Sequence, residues 1–167
     1  MLEKVFMEQK WVPVPVTFSG NTDCYQPVER KLAITRSLLE VCRKFKNPAG
    51  IITKNQLILR DIDILKDLAK ENLIFVNITI TTLKEDLRRQ LEPRTSSCGN
   101  RLKTIEKLAE AGIPVGVMIG PIIPGLTDSE IPDIMNAAAD SGAQTANYTM
   151  VRLNGALDKI FTDWIWK

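Results

Sequence analysis

The chain has 167 residues, enough for one domain with a real core. A net charge of +2 gives no electrostatic footprint for nucleic acid, and no run of eighteen apolar residues is present to span a membrane. Histidine is absent, which removes the commonest general base and metal ligand, and the three scattered cysteines argue against a disulfide framework. The N-terminal MLEKVFMEQK has no apolar signal core, so a cytoplasmic location is expected.

Along the chain, short apolar runs alternate with amphipathic ones. Val14–Phe18 reads as a strand, weakened at its start by Pro13 and Pro15. The spacing of Val28, Leu32, Leu38, Leu39, Cys42 and Phe45 predicts one helix over 28–45. Ala49–Thr53 is the second strand, and 57–70 a helix with Ile58, Ile62, Leu65 and Leu68 on its stripe. The third strand covers 73–81, with a short helix after it over 83–91 and another over 100–111, stopped by Gly112. Residues 114–122 form the fourth strand. A helix over 128–141 follows, capped by Thr127 or Asp128 and ended by Gly142. The fifth strand covers 145–151 and a last helix 157–166.

Five apolar strands alternating with helices predict an α/β fold with a parallel sheet whose strands are buried on both faces. A complete eight-fold barrel needs about 250 residues. The expectation is therefore a partial parallel (β/α) barrel or an open sheet, in one incomplete domain over 1–167. Residues 1–12 would be an N-terminal extension forming no strand–helix unit, and 155–167 the C-terminal helix.

In such folds ligands sit beyond the C-terminal strand ends. The residues there are Ser19-Gly20-Asn21-Thr22-Asp23, Thr53-Lys54, Thr79 to Thr82, Gly120 to Gly125, and Arg152 to Asn154. The first is also an ordinary turn and N-cap sequence, and the threonines also fit β-propensity alone. Lys54 suits a carboxylate contact as a point charge, a Schiff base if desolvated, or a solvated charge. Arg94, Thr95 and Ser96 form an anion site or a loop. Cys42 falls on a buried helix stripe and Cys98 in a loop; Cys24 alone lies beside the rim. Trp164 and Trp166 are expected to pack or anchor the tail. Three thiols tens of residues apart do not make a cluster or structural zinc site, so no metal site is expected.

The combination NTD-x-YQP-x-E (from Asn21), ITK (52–54), LEPRTSS (91–97) and AGIPVGV (111–117) resembles the spore photoproduct lyase-like, or DNA repair photolyase-like, group of radical S-adenosylmethionine (SAM) proteins, over about Val14 to Trp164. The resemblance implies a partial barrel of the radical SAM type. In the family, a C-x3-C-x2-C loop after the first strand holds a [4Fe–4S] cluster whose open iron binds the cofactor's amine and carboxylate. Reductive cleavage then gives a 5′-deoxyadenosyl radical. By the same resemblance, Asn21, Thr22 and Asp23 approach the methionine moiety. Lys54 contacts its carboxylate, and Thr79 (with Thr81 as a shifted alternative) a ribose or methionine group. Gly116–Ile122, with Gly120, lines the adenine pocket together with residues near Val151.

No C-x3-C-x2-C occurs in the chain, and Gly20 stands where the lyase carries a hydrogen-donating cysteine. The expectation is an N-terminally truncated piece, lacking the first strand–helix unit and its cluster loop and inactive alone. Alternatives are a binding or assembly domain that completes a barrel with another chain, and an aldolase-like enzyme using Lys54. Self-association through the exposed first strand is expected, with nucleic acid as a partner by family only.

Overall fold

The computed structural model describes residues 1–165. Five strands form one sheet in chain order: β1 (Val16–Phe18), β2 (Ala49–Thr53), β3 (Ile74–Ile80), β4 (Val115–Ile122) and β5 (Ala146–Met150). Every neighbouring pair is parallel, as expected for a half-barrel. Parallel neighbours need crossovers, and helices supply them between β2 and β5 as well as between β1 and β2. These helices are α2 (Glu29–Leu32), α3 (Ile34–Lys44), α4 (Ile62–Lys70), α5 (Glu85–Leu91), α6 (Cys98–Glu110) and α7 (Ile131–Asp140). Outside this frame lie α1 (Leu2–Phe6) and α8 (Ala156–Ile165). Among the described residues no helix is long and apolar enough to cross a membrane.

The core lies between one sheet face and the helices. Ile51, Val76, Ile78, Ile80, Val115, Val117 and Ile119 of the strands are buried. They cluster with Leu39, Leu65, Leu68, Ile105, Leu108 and Ile134 of α3, α4, α6 and α7. The other face differs from the expectation of strands buried on both sides. Strand register aligns Thr17, Gly50 and Phe75 in one row, Ile52, Asn77 and Gly116 in a second, and Thr79, Met118 and Asn147 in a third. Gly50, Ile52, Phe75, Asn77 and Met118 on that face are only half-buried. Small and polar side chains alternating with branched ones leave this face open, since a barrel of five strands does not close over it.

The helix expected over 28–45 is two helices. Ala33 sits in the left-handed region (φ 48°, ψ 36°), which stops α2. The buried Glu29 carboxylate then accepts from the backbone N–H groups of Ile34 and Thr35, capping α3. No glycine or proline marks this break, so periodicity ran through it. The helix expected from Leu57 begins as a 3₁₀ turn (Gln56–Asp61), capped by the Asn55 side chain accepting from Leu57 N–H. Helix α6 starts at Cys98, two residues earlier than expected, because the Ser97 hydroxyl caps it. Thr127 does not cap α7: its hydroxyl accepts from Ile123 N–H, and a 3₁₀ turn (Asp128–Glu130) precedes the helix. Gly112 (φ 73°) and Gly142 (φ 96°) follow α6 and α7, in the conformation that favours glycine.

The N-terminal extension is more ordered than its sequence implied. Phe6 of α1 is buried, with its ring centroid 4.9 Å from Trp11 and 5.9 Å from Phe45. Trp11 donates to Asn47, so the segment packs on the helix layer. Among the described residues no strand pairs with the outer edge of β1 or of β5, and all five β5 residues are exposed. Trp166, the expected end of the last helix, lies outside the described residues.

Candidate functional site

Because all strands run the same way, their C-terminal ends share one rim. A cavity of about 200 Å³ opens there, lined by Asn21, Thr22 and Asp23 after β1, Thr53 and Lys54 at β2, and Thr79 of β3, with Ser19 and Ile52. Five of the six residues expected at the site therefore meet. Gly120 is not among the residues lining this cavity. Its carbonyl receives the Thr81 hydroxyl at 2.8 Å, and a Cβ on it would lie 2.5 Å from Thr149 Oγ1. Glycine is needed there for the close approach of β4 and β5.

Asp23 is a tie as well as a wall. Its carboxylate accepts from Tyr25 N–H at 2.8 Å, from the Thr53 hydroxyl at 2.8 and 3.0 Å, and from Lys54 N–H at 2.8 Å. Those bonds clamp the loop after β1 onto the end of β2. Tyr25 anchors the same loop, its fully buried hydroxyl donating to Asp61 at 3.0 Å. Burial, with Asp61 beside it, pushes the Tyr25 phenol well above its ordinary value, so it stays protonated as a donor.

Lys54 is ion-paired to Glu92, a residue that the sequence did not single out. Glu92 is nearly buried, pairs with Arg101 at 2.7 Å, and lies 2.8 Å from the Thr81 hydroxyl, whose single proton it shares with the Gly120 carbonyl. Burial works to raise the Glu92 carboxyl, but the cations of Arg101 and Lys54 outweigh it and hold the group below its ordinary value. Arg101 is 1% exposed and also donates to the carbonyls of Thr79 and Ser96, both at 2.9 Å, and to the Thr95 hydroxyl. Thr95 and Ser96 thus tie down the loop, and the Ser96 hydroxyl accepts from Gln56 N–H. Thr81 is buried and already engaged with Glu92 and Gly120, and of the two it is Thr79 that lines the cavity.

Among the described residues no group of three or more His, Cys, Asp or Glu is placed to hold a metal ion. Burial pushes the thiols of Cys24, Cys42 and Cys98 up to about 11, away from the thiolate that a cluster iron needs. Cys98 donates its S–H to the Thr82 carbonyl, and Cys42 lies in the core. These cysteines do not fit an iron–sulfur cluster. What the cavity offers instead is the Lys54 ammonium together with the amide and hydroxyl groups of Asn21, Thr22 and Thr79.

The model of the Radical SAM superfamily matches residues 3–138. The uncharacterized protein MJ0683 of Methanocaldococcus jannaschii is 33% identical over 124 residues, which is 74% of this chain and 46% of that protein. The chain thus spans about half the length of this relative. Among solved structures, spore photoproduct lyase complexed with dinucleoside spore photoproduct has the same fold (TM-score 0.74, 14% identity, 99% of this chain and 49% of that one). So does Streptococcus suis SuiB bound to S-adenosylmethionine (TM-score 0.64, 17% identity, 91% and 36%). A five-stranded parallel half-barrel with polar groups gathered at its C-terminal rim, matched over most of its length by one family model, makes this chain a member of the radical SAM superfamily.

Proposed function

We propose that this chain is the cofactor-binding sector of a radical SAM enzyme and takes the methionine end of S-adenosylmethionine at its rim. The observation that carries this reading is the convergence of Asn21, Thr22, Asp23, Lys54 and Thr79 on one cavity in a chain of this superfamily. Lys54 offers its ammonium to the ligand carboxylate as a point charge. Asn21, Thr22 and Thr79 offer hydrogen bonds to the amine and ribose. Gly120 and its strand face the adenine further along the sheet. With a reduced [4Fe–4S] cluster to give one electron, the cofactor would supply a 5′-deoxyadenosyl radical and release methionine. The cysteines of this chain do not ligate such a cluster, so the chain alone is proposed to bind without turnover. A lyase-type reaction on nucleic acid is the finer reading, supported by the motif resemblance to the spore photoproduct lyase-like group. The aldolase-like alternative is disfavoured because Lys54 sits against a carboxylate, unlike the desolvated amine that Schiff-base chemistry uses.

Equilibrium dialysis with S-adenosylmethionine tests the reading. Wild-type chain is expected to bind, and Lys54→Ala to bind about tenfold more weakly, an effect of about 1.4 kcal/mol. 5′-Methylthioadenosine, which lacks the amino-acid carboxylate, is expected to be indifferent to the substitution. Equal S-adenosylmethionine affinity for both proteins, or no binding to the wild type at millimolar ligand, would sink the proposal.

A second reading, assembly with another chain, is favoured by the sheet edges that are unpaired among the described residues. The exposed β5 borders an apolar groove of about 620 Å³ lined by Ile119, Ile122, Ile131, Met135, Tyr148 and Met150. Open edges and apolar patches recruit other chains. Pro13 and Pro15 blunt the edge at β1 only in part. Sedimentation velocity at micromolar concentrations is expected to show a mass rising with concentration above that of one chain. A constant monomer mass across that range would refute self-association.

A further inference from the structure

We infer that Glu92 is the positioning residue of the carboxylate subsite: it holds Lys54 in place for the ligand and is itself fixed by Arg101. This inference rests on the reading that Lys54 meets the carboxylate of S-adenosylmethionine.

A lysine is a compact charge on a flexible four-carbon stem, so by itself it defines no geometry. Here the stem ends against Glu92 Oε1, which takes one of the three ammonium protons and leaves two for the cavity. The other carboxylate oxygen, Oε2, is bound by Arg101 Nη2 at 2.7 Å. Arg101 has a planar, multiply tethered guanidinium with almost no exposure, and its Nη1 donates to the carbonyl of Thr79. One buried pair therefore fixes both a charged and a hydroxyl-bearing wall of the cavity, Lys54 on β2 and Thr79 on β3.

The charges add to a site suited to a zwitterion. Lys54 and Arg101 outweigh Glu92 by one positive charge, which favours an anion at the Lys54 side. Across the cavity wall the Asp23 carboxylate supplies one negative charge beside the ligand's amine. Without Glu92, Lys54 would swing toward solvent, where a hydrated ammonium is stable, and the subsite would lose its register with Thr79.

The test uses Glu92→Gln, near-isosteric but uncharged, and the double variant Glu92→Gln/Arg101→Met, which removes the buried charge pair together so that neither ion is left alone. Both are expected to bind S-adenosylmethionine about tenfold more weakly and 5′-methylthioadenosine as the wild type does. Equal affinity for S-adenosylmethionine in variants and wild type, or a parallel loss for both ligands, would overturn the role. A second readout needs no ligand. Acylation of Lys54 by an amine-reactive ester, followed by peptide mass spectrometry, is expected to run several-fold faster in both variants than in the wild type, with Lys70 and Lys84 unchanged. An unchanged rate at Lys54 would mean that Glu92 does not hold it. Failure of the wild type to bind S-adenosylmethionine would defeat the functional reading, while the acylation rate would still report on Glu92's grip.

Discussion

Arg101→Met is expected to lower the free energy of unfolding by about 3–5 kcal/mol, the range for breaking a buried ion pair by removing one partner. The side chain is 1% exposed and its partner Glu92 is nearly as buried, with side-chain exposure of 9%. Methionine fills most of the volume, so the loss is electrostatic and not a cavity. The buried carbonyl of Thr79 and the part-buried one of Ser96 lose their guanidinium donors at the same time. Lys54 remains beside Glu92 but is half-exposed and does not replace them. Urea unfolding checks the magnitude, and its pH dependence checks the cause. The Glu92 carboxyl is depressed in the folded chain, so its stabilising contribution is present above the unfolded value of about 4.5 and is lost as pH falls through the folded value. In the variant the chief depressing cation is gone. The gap between wild type and variant should therefore narrow as pH drops below about 4.5. A gap that stays constant from neutral to acid pH would mean that the pair contributes nothing through charge.

What could be read from the chain beforehand follows from the range of the interactions. Ala49–Thr53 is legible to the residue, because five residues are too few for a helix and the run ends in the branched Ile51, Ile52 and Thr53. The parallel order of the strands followed from alternation with helices, and the rim residues followed from that order, since each needs only its place at a strand end. Glu92 and Arg101 carry no such label. Glu92 lies 38 positions from Lys54, and an acidic residue before a proline looks like any loop. Gly120 sits inside β4, two residues before its end, and its lack of a side chain serves Thr149 across the strand pair and not the cavity. The broken helix at Ala33 was hidden for a related reason: the Glu29 cap that makes it depends on a carboxylate folding forward by five residues. The five-residue α1 is too short to show a period, and its long-range contacts, with Phe6 against Trp11 and Phe45, are what reveal it.

Asp61→Ala should be nearly as costly as the loss of Arg101, at about 3 kcal/mol, and should act on the rim from a distance. Asp61 is fully buried and accepts from Tyr25, Arg60 and Arg36. The two arginines are 26% and 30% exposed and can turn to water, so their loss is partly repaid by hydration. The Tyr25 hydroxyl has no such recourse, and an unsatisfied buried donor costs about 1–3 kcal/mol. Tyr25 also donates its N–H to Asp23, so loosening the ring loosens the loop that carries Asn21 to Asp23. The partner substitution Tyr25→Phe separates these effects. If the Tyr25–Asp61 bond carries the cost, Tyr25→Phe and Asp61→Ala together should be less destabilising than the sum of the two, by about 1–2 kcal/mol. The double variant should still fold, because neither buried donor nor acceptor is then left alone. Strict additivity in thermal or urea unfolding would show that the two side chains act independently.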